Sequence, residues 1–310
     1  MELLATGMPL AFASWVFTLG AVIGSFLNVV IARVPKGESV VRPASRCPRC
    51  KSAIRWYDNI PILSWLLLRG KCRDCALPIS PRYPLVELLV ALLAVAVARQ
   101  LGPGWTALGY FAFAASLVAL AYIDLDTWLL PQEITYPLLA LGLLSPLWNR
   151  ALPWREALIG AAAGYGLFAA IALFGEKILK REVMGWGDVW LLAGIGAWLG
   201  WQALLPVVLL SAAQGALVGV VLLLLGKTPD GKTPASSRQP PGSSETAAST
   251  GGWSLEAGGK RESETAEDDW VPPKNAVPYG PFLALAALEY LLAGGRIVSA
   301  WYGLLQRILG

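Results

Sequence analysis

"LAFASWVFTLGAVIGSFLNVVIA", residues 10–32, decides the fold, because it contains no charged side chain from its first residue to its last. The run is longer than the roughly 20 apolar residues that a helix needs to cross a bilayer. No basic residue precedes it and no small-residue cleavage pattern follows it. We therefore expect a retained membrane helix rather than a signal peptide.

Similar apolar runs recur along the chain, in which 55% of the 310 residues are apolar and 15% are charged. That balance lies far outside the range of an ordinary soluble domain and indicates a polytopic membrane protein. We predict an all-α fold of about eight transmembrane helices, near residues 10–32, 84–101, 105–123, 133–149, 156–175, 188–201, 203–225 and 280–305. Two of these runs, 133–149 and 188–201, are short, so six or seven spans remain an alternative.

The segment 33–83, which follows the first run, carries eleven Lys or Arg against three acidic residues. The positive-inside rule places such a segment in the cytoplasm and the chain's first residues outside. A basic loop beside a membrane reflects topology and anionic lipid, so we expect membrane lipid as a partner and exclude nucleic acid.

A second polar region, residues 227–276, is rich in Gly, Ser, Thr and Pro and then turns acidic. It has no apolar periodicity that would build a core, which predicts a disordered low-complexity insertion on the cytoplasmic side. The predicted organisation is an N-terminal helix (1–32), a cytoplasmic domain (33–83), a membrane core (84–226), the insertion (227–276) and a C-terminal helix (277–310).

All four cysteines lie in the basic segment, as "CPRC" (Cys47, Cys50) and "CRDC" (Cys72, Cys75). Two such pairs supply the four thiolates of a tetrahedral structural zinc site, and the chain has no His to replace any of them. Disulfides or a redox couple fit a reducing cytoplasm less well, and this ligand set does not by itself separate zinc from iron. Because four thiolates leave no open coordination position, we predict a role in stability rather than in chemistry.

Acidic side chains at the membrane boundary cost about 2.5–3.5 kcal/mol on insertion scales, so each one needs a reason. Asp124 follows the run ending "SLVALAYI", and Asp188 opens the run "VWLLAGIGAWLG". Both fall at the predicted cytoplasmic face and can meet there. When two carboxylates share a site, one holds a proton and the other acts as base toward a water molecule, which is aspartyl-protease chemistry.

The surroundings of Asp188, in "VMGWGDVW" (183–190), suggest how a substrate reaches it. Gly185 and Gly187 remove side chains beside the acid, so that an extended substrate backbone can approach. Helix position favours the anion on Asp188, near a helix N-terminus, and the proton on Asp124, near a helix C-terminus.

Two further acids are predicted to stay outside the pair. Asp126 is two positions along the helix from Asp124 and therefore faces a different side, which is typical of a solvated helix end. Glu87, near the start of the second run, is interpreted as a snorkelling or packing residue.

Six motifs together resemble the type IV prepilin peptidase family, the bifunctional leader peptidases and N-methyltransferases of bacterial pilus and type II secretion systems. In family order they are "GSFLNVVIARVP" (24–35), "CPRCKSAIRWYDNIPILSWLLLRGKCRDC" (47–75), "ISPRYPLVEL" (79–88), "IDLDTWLLP" (123–131), "GWGD" (185–188) and "PYGPFLALAALE" (278–289). The resemblance implies a multi-pass protein of the inner membrane, with a zinc-bearing cytoplasmic loop and Asp124 and Asp188 as the catalytic pair.

The resemblance also implies the reactions. These are cleavage of the positively charged leaders of prepilins and pseudopilins, typically between Gly and Phe, and methylation of the new N-terminus by S-adenosylmethionine. It identifies no methyltransferase residue and no oligomeric state. The chain departs from the family at Gln132, where an acid is usual after Leu-Pro, and in the length of 227–276.

Three other functions fit the sequence less well. A presenilin-like protease shares G-x-G-D but would have a Tyr-Asp pair inside a helix and no four-cysteine loop. A transporter with a proton relay should show repeat symmetry between its halves, and none is visible in the sequence. A noncatalytic scaffold that grips a partner through its metal loop should tolerate loss of both aspartates.

Overall fold

The computed structural model describes residues 8–47, 49–180, 184–224 and 277–309. The regular secondary structure of these ranges is helical, and they contain two isolated β-bridges but no strand. The helices are α1 (Leu10–Arg33), α2 (Leu63–Leu67), α3 (Arg82–Leu101), α4 (Trp105–Thr127), α5 (Gln132–Leu144), α6 (Trp154–Leu179), α7 (Trp186–Leu199), α8 (Leu204–Leu224) and α9 (Gly280–Leu309).

Five helical stretches are long and apolar enough to cross a membrane, which confirms the all-α membrane fold. They are Leu10–Lys36, Arg82–Leu101, Trp105–Thr127, Trp154–Ile178 and Trp201–Leu224, and α9 adds a shorter apolar stretch, Gly280–Gly295. The count of eight spans is not confirmed. Helices α5 and α7, with 13 and 14 residues, are only about 20 Å long and are too short for a hydrocarbon core of about 30 Å.

Helices α1 and α3 pack side by side and antiparallel through small residues. A side chain at Gly20 would collide with Ala91 and Ala94, and one at Gly24 would collide with the backbone of Glu87. Such close approach strengthens dispersion contacts between membrane helices. The segment that connects α1 to α3 therefore begins and ends at the same end of this helix pair.

Beyond Asp188, the short helix α7 is apolar on every face, and neighbouring helices bury most of its residues. Gly160 of α6 and Gly196 of α7 meet backbone to backbone, with no room for a side chain at either position. On another side, the α7 residue Trp198 donates its indole N–H to the Leu138 carbonyl of α5 at 2.8 Å.

Trp198 also connects α7 to α4, since its ring stacks on Phe113 with 5.3 Å between centroids. The Tyr110 hydroxyl of α4 donates to the Trp198 carbonyl at 3.0 Å. These contacts fix the spacing between α4 and α7, the two helices that carry Asp124 and Asp188.

The described residues up to 220 and those from 277 onward belong to one compact unit. The predicted insertion, 227–276, lies outside the described residues. The division into five segments that the composition suggests stays a prediction.

Candidate active site and metal centre

Asp124 lies in the last turn of α4 and is buried. The helix ends just beyond it because Trp128 takes a left-handed φ of 58° and returns its N–H to the Asp124 carbonyl. The carboxylate of Asp124 accepts a hydrogen bond from the backbone N–H of Gly280, the first residue of α9. A side chain at position 280 would collide with that carboxylate, so the contact requires glycine.

Asp188 lies in the first turn of α7, where its N–H donates to the Gly185 carbonyl at 3.1 Å. Its Oδ1 atom is buried and has no hydrogen-bond donor among the described residues. The carboxyl groups of Asp188 and Asp124 are close enough to interact electrostatically. The structure thus brings together the two acids that the sequence singles out, one from the end of α4 and one from the start of α7.

The two glycines before Asp188 have different surroundings. A Cβ at Gly185 would lie 4.0 Å from Oδ2 of Asp188 and would meet no other atom. A Cβ at Gly187 would lie 2.7 Å from the Cβ of Leu130, so Leu130 fills the space beside Gly187. Substrate approach over Gly185 and Gly187 stays a prediction, although Leu130 occupies the space beside Gly187.

A hydrogen-bonded pair of hydroxyl groups, one of which interacts with Asp188, was not indicated by the sequence as part of the site. The hydroxyl oxygens of Tyr279 and Ser211 are 2.5 Å apart, and the Ser211 hydroxyl donates to the Val208 carbonyl at 2.9 Å. Since the one proton of Ser211 is used there, the Tyr279 hydroxyl is the donor to Ser211. Tyr279 also interacts electrostatically with Asp188. The motif "PYGPFLALAALE" contained the signal, because Tyr279 directly precedes Gly280.

Asp126 is engaged elsewhere. Its carboxylate pairs with the guanidinium of Arg82 at 2.7 Å, and that guanidinium lies 4.8 Å from the ring centroid of Tyr122. The ion pair connects the first residue of α3 to the last turn of α4. Asp126 therefore helps to hold the end of the helix that presents Asp124.

The four cysteines form one cluster in the segment between α1 and α3. Their sulfur atoms all lie within 4.8 Å of one another, with 3.9 Å between Cys47 and Cys75 and 4.0 Å between Cys50 and Cys72. Metal–sulfur bonds of about 2.3 Å in a tetrahedron place sulfur atoms about 3.8 Å apart. The cluster therefore fits a single tetrahedral metal ion.

Both cysteine pairs are presented by the same backbone turn. The N–H of Cys47 donates to the Ser52 carbonyl, and the N–H of Cys72 donates to the Leu77 carbonyl, each at 2.9 Å. The residue after the second cysteine of each pair, Lys51 or Ala76, has a positive φ that closes the turn. The side-chain hydrogen bond between Cys50 Sγ and Ser52 Oγ, at 3.3 Å, lowers the pKa of Cys50 to about 6, which favours the thiolate form that binds metal.

An ion pair stabilises the turn that carries the second cysteine pair, Cys72 and Cys75. Arg73, inside "CRDC", donates to both carboxylate oxygens of Asp58 at 2.8 and 2.6 Å. These hydrogen bonds hold the pKa of Asp58 below its usual value and keep it ionised. The Arg73 guanidinium also lies 5.5 Å from the ring centroid of Tyr57. The metal cluster is thus joined to the Trp56–Asn59 turn by a fixed, two-pronged contact.

Two protein-family models together match most of the chain. A family model described as "Bacterial Peptidase A24 N-terminal domain" matches residues 18–101, which include all four cysteines. A second, described as "Type IV leader peptidase family", matches residues 111–220, which include Asp124 and Asp188. No solved structure matches the chain.

Several curated proteins are similar over most of their length, and each is named "Prepilin leader peptidase/N-methyltransferase". The protein from Myxococcus xanthus is 43% identical, over 91% of this chain and 90% of its own length. The Aeromonas hydrophila protein is 46% identical over 72% of this chain and 85% of its own length. The Stutzerimonas stutzeri protein is 36% identical over 97% of both chains.

Proposed function

Because the chain belongs to the type IV leader peptidase family, we propose that it removes the leader peptides of type IV prepilins and pseudopilins and then methylates the new N-terminus. The observation that supports the peptidase half is that Asp124 and Asp188, two acids from different helices, lie within electrostatic range of each other near the first turn of α9. Two adjacent carboxyl groups in a largely buried site are the requirement for water-activating aspartyl chemistry.

In this mechanism Asp124 is the base. The N–H of Gly280 donates to its carboxylate, and the positive end of the α9 dipole faces it, so both favour the anion. Asp188 carries the shared proton, since its buried Oδ1 receives no donor from the described residues. This reverses the assignment drawn from α4 and α7 alone, because the sequence did not reveal the α9 contact.

The reaction then proceeds in two steps. Asp124 takes a proton from water, the resulting hydroxide attacks the scissile carbonyl carbon, and Asp188 gives its proton to the carbonyl oxygen. The tetrahedral intermediate expels the amine when Asp124 returns its proton to the nitrogen and Asp188 recovers the proton from the oxygen. Both acids end in their starting states. The open space at Gly185 is the proposed path for an extended substrate backbone.

The cysteine cluster is proposed to hold zinc. Cys47, Cys50, Cys72 and Cys75 supply four thiolates and leave no open position, so the ion cross-links the segment and takes no part in hydrolysis. A segment with so little regular structure folds around such an ion.

The methyl donor is a second substrate, S-adenosylmethionine, because the curated relatives are named N-methyltransferases as well as leader peptidases. The protein is proposed to lie in the bacterial inner membrane with both acids at its cytoplasmic face. The eleven basic residues of 33–83 support that orientation.

One assay tests the whole proposal. The full-length protein, in detergent, is incubated with a prepilin and methyl-labelled S-adenosylmethionine, and leader removal and label on the mature N-terminus are followed together. Asp124→Asn and Asp188→Asn should each slow leader removal by at least about 10²-fold, whereas Asp126→Asn, whose amide oxygen can still accept from Arg82, should retain it. Unchanged leader removal in either of the first two variants overturns the mechanism. Label missing from wild-type product overturns the methyltransferase half alone.

A further inference from the structure

Glu87 is an acid inside the apolar helix α3, and its carboxylate accepts a hydrogen bond from outside that helix. Its Oε2 accepts the backbone N–H of Ile62 at 2.7 Å, and the side chain of Ser25, from α1, adjoins the same carboxyl group. Glu87 itself is only 8% exposed. The contact therefore connects the segment between α1 and α3 to a buried point on a membrane-spanning helix.

Glu87 lies inside α3 and not at its first turn. Glu87 is five residues beyond Arg82, the first residue of α3, which corresponds to about 7.5 Å along the helix axis. Leu85, Leu88 and Leu89 occupy the same level and are exposed on a spanning helix, so they face lipid. Ile62 consequently lies at a depth where the exposed face of α3 meets lipid.

Helix α2 begins at the next residue and exposes apolar side chains at this depth. Leu63, Leu66 and Leu67 are exposed by 50%, 58% and 74%. The side chain of Trp65, in contrast, faces the cysteine-bearing segment, because its indole N–H donates to the Ile79 carbonyl at 3.1 Å and its ring packs on Gly70. One side of α2 is thus bound to the metal-bearing segment and the other is left apolar and uncovered.

Basic side chains flank this apolar face. Arg55, Arg69 and Lys71 are all exposed, and they precede and follow the stretch that contains α2. An apolar face bordered by Lys and Arg is typical of a segment that lies in the interface of an anionic membrane, buried by roughly 5–10 Å.

We propose that residues 61–68 enter the membrane interface, with the exposed leucines of α2 among the acyl chains and the flanking basic residues at anionic headgroups. In that location no water reaches the N–H of Ile62, and an unsatisfied N–H there costs several kcal/mol. The Glu87 carboxyl group supplies the acceptor. It also holds Ile62 at a φ of 62°, which a β-branched residue rarely adopts.

Photochemical labelling from the lipid side tests this location. The full-length protein is placed in nanodiscs of phosphatidylcholine and phosphatidylglycerol that contain a phospholipid with a diazirine in its acyl chain, and is then irradiated and digested with trypsin. Peptide 56–69 should carry lipid adducts at a yield comparable to peptide 83–99, which belongs to the lipid-facing helix α3. Peptide 37–46 contains the 78%-exposed Val41 and should carry few.

Matched variants complete the test. Leu66→Gln with Leu67→Gln should lower the adduct yield on 56–69 at least several-fold and leave 83–99 unchanged, while Val41→Gln should change neither. Adducts on 56–69 no more frequent than on 37–46 overturn the proposal. So does attachment of 56–69 to a second protein chain instead of to lipid, because another protein would then cover the leucines.

Discussion

The backbone N–H of Gly280 donates a hydrogen bond to the carboxylate of Asp124, so the start of α9 rests directly on one of the two paired acids. Leu130 lies beside the same position, since a Cβ at 280 would be 3.5 Å from its Cδ1. Position 280 therefore has no free space on its Asp124 side. The placement of Asp124 depends on a residue that has no side chain and contributes only a backbone donor.

Gly280→Ala should slow leader removal by about 10²-fold, because the added methyl group displaces the Asp124 carboxylate, and a displacement of about 1 Å is enough for that loss. Gly295→Ala, on the same helix but with open space around the new methyl group, is the matched control and should behave as wild type. Initial rates with a prepilin substrate are the measurement. Equal rates for the two variants would show that Asp124 tolerates displacement.

The two aspartate variants should differ in residual activity. Asparagine at 188 can still donate an N–H toward the substrate carbonyl oxygen, whereas asparagine at 124 removes the base, a loss of about 10²–10⁴-fold. We therefore expect Asp124→Asn to be the slower of the two in single-turnover assays. If Asp188→Asn is the slower variant, Asp188 and not Asp124 is the ionised acid, as the positions of the two acids on α4 and α7 alone suggest.

The sequence predicts those features that local pattern controls. The apolar runs located each long helix of the residues that the structure describes, and the spacing of Cys47, Cys50, Cys72 and Cys75 predicted a single cluster, because each C-x-x-C turn is a local structure. The meeting of the two acids could also be anticipated, since both fall at the same predicted membrane face.

Contacts between distant segments could not be predicted in this way. Gly280 reaches Asp124 only because α4 and α9 pack together, and no periodicity reports which helices become neighbours. The same holds for the pairing of Tyr279 with Ser211 and of Glu87 with Ile62. Which helices enclose α7 was also beyond the sequence, although its apolar run, 188–201, was already short enough to leave its span in question.

Ser211→Ala should destabilise the protein more than Tyr279→Phe. Loss of the Ser211 hydroxyl leaves the Tyr279 hydroxyl without its acceptor, and an unsatisfied buried polar group costs about 1–3 kcal/mol. Tyr279→Phe leaves the Ser211 hydroxyl its bond to the Val208 carbonyl. Thermal unfolding in detergent should therefore rank wild type, Tyr279→Phe and Ser211→Ala in falling order, with the double variant close to Tyr279→Phe. Additive losses in the double variant would argue against a shared hydrogen bond.

The last prediction concerns the metal centre and does not depend on the roles of Asp124 and Asp188. Purified protein should contain about one zinc ion per chain by elemental analysis and no visible absorbance, because four thiolates around a d¹⁰ ion give no colour at those wavelengths. Cys72→Ser should lose the metal and expose the segment, so that trypsin cuts after Arg49 and Lys51 sooner than in wild type. Ser52→Ala, which removes the hydrogen bond to Cys50 but no ligand, is the matched control and should keep the ion. Visible absorbance with stoichiometric iron would replace zinc by iron, and full metal retention in Cys72→Ser would refute the four-thiolate site.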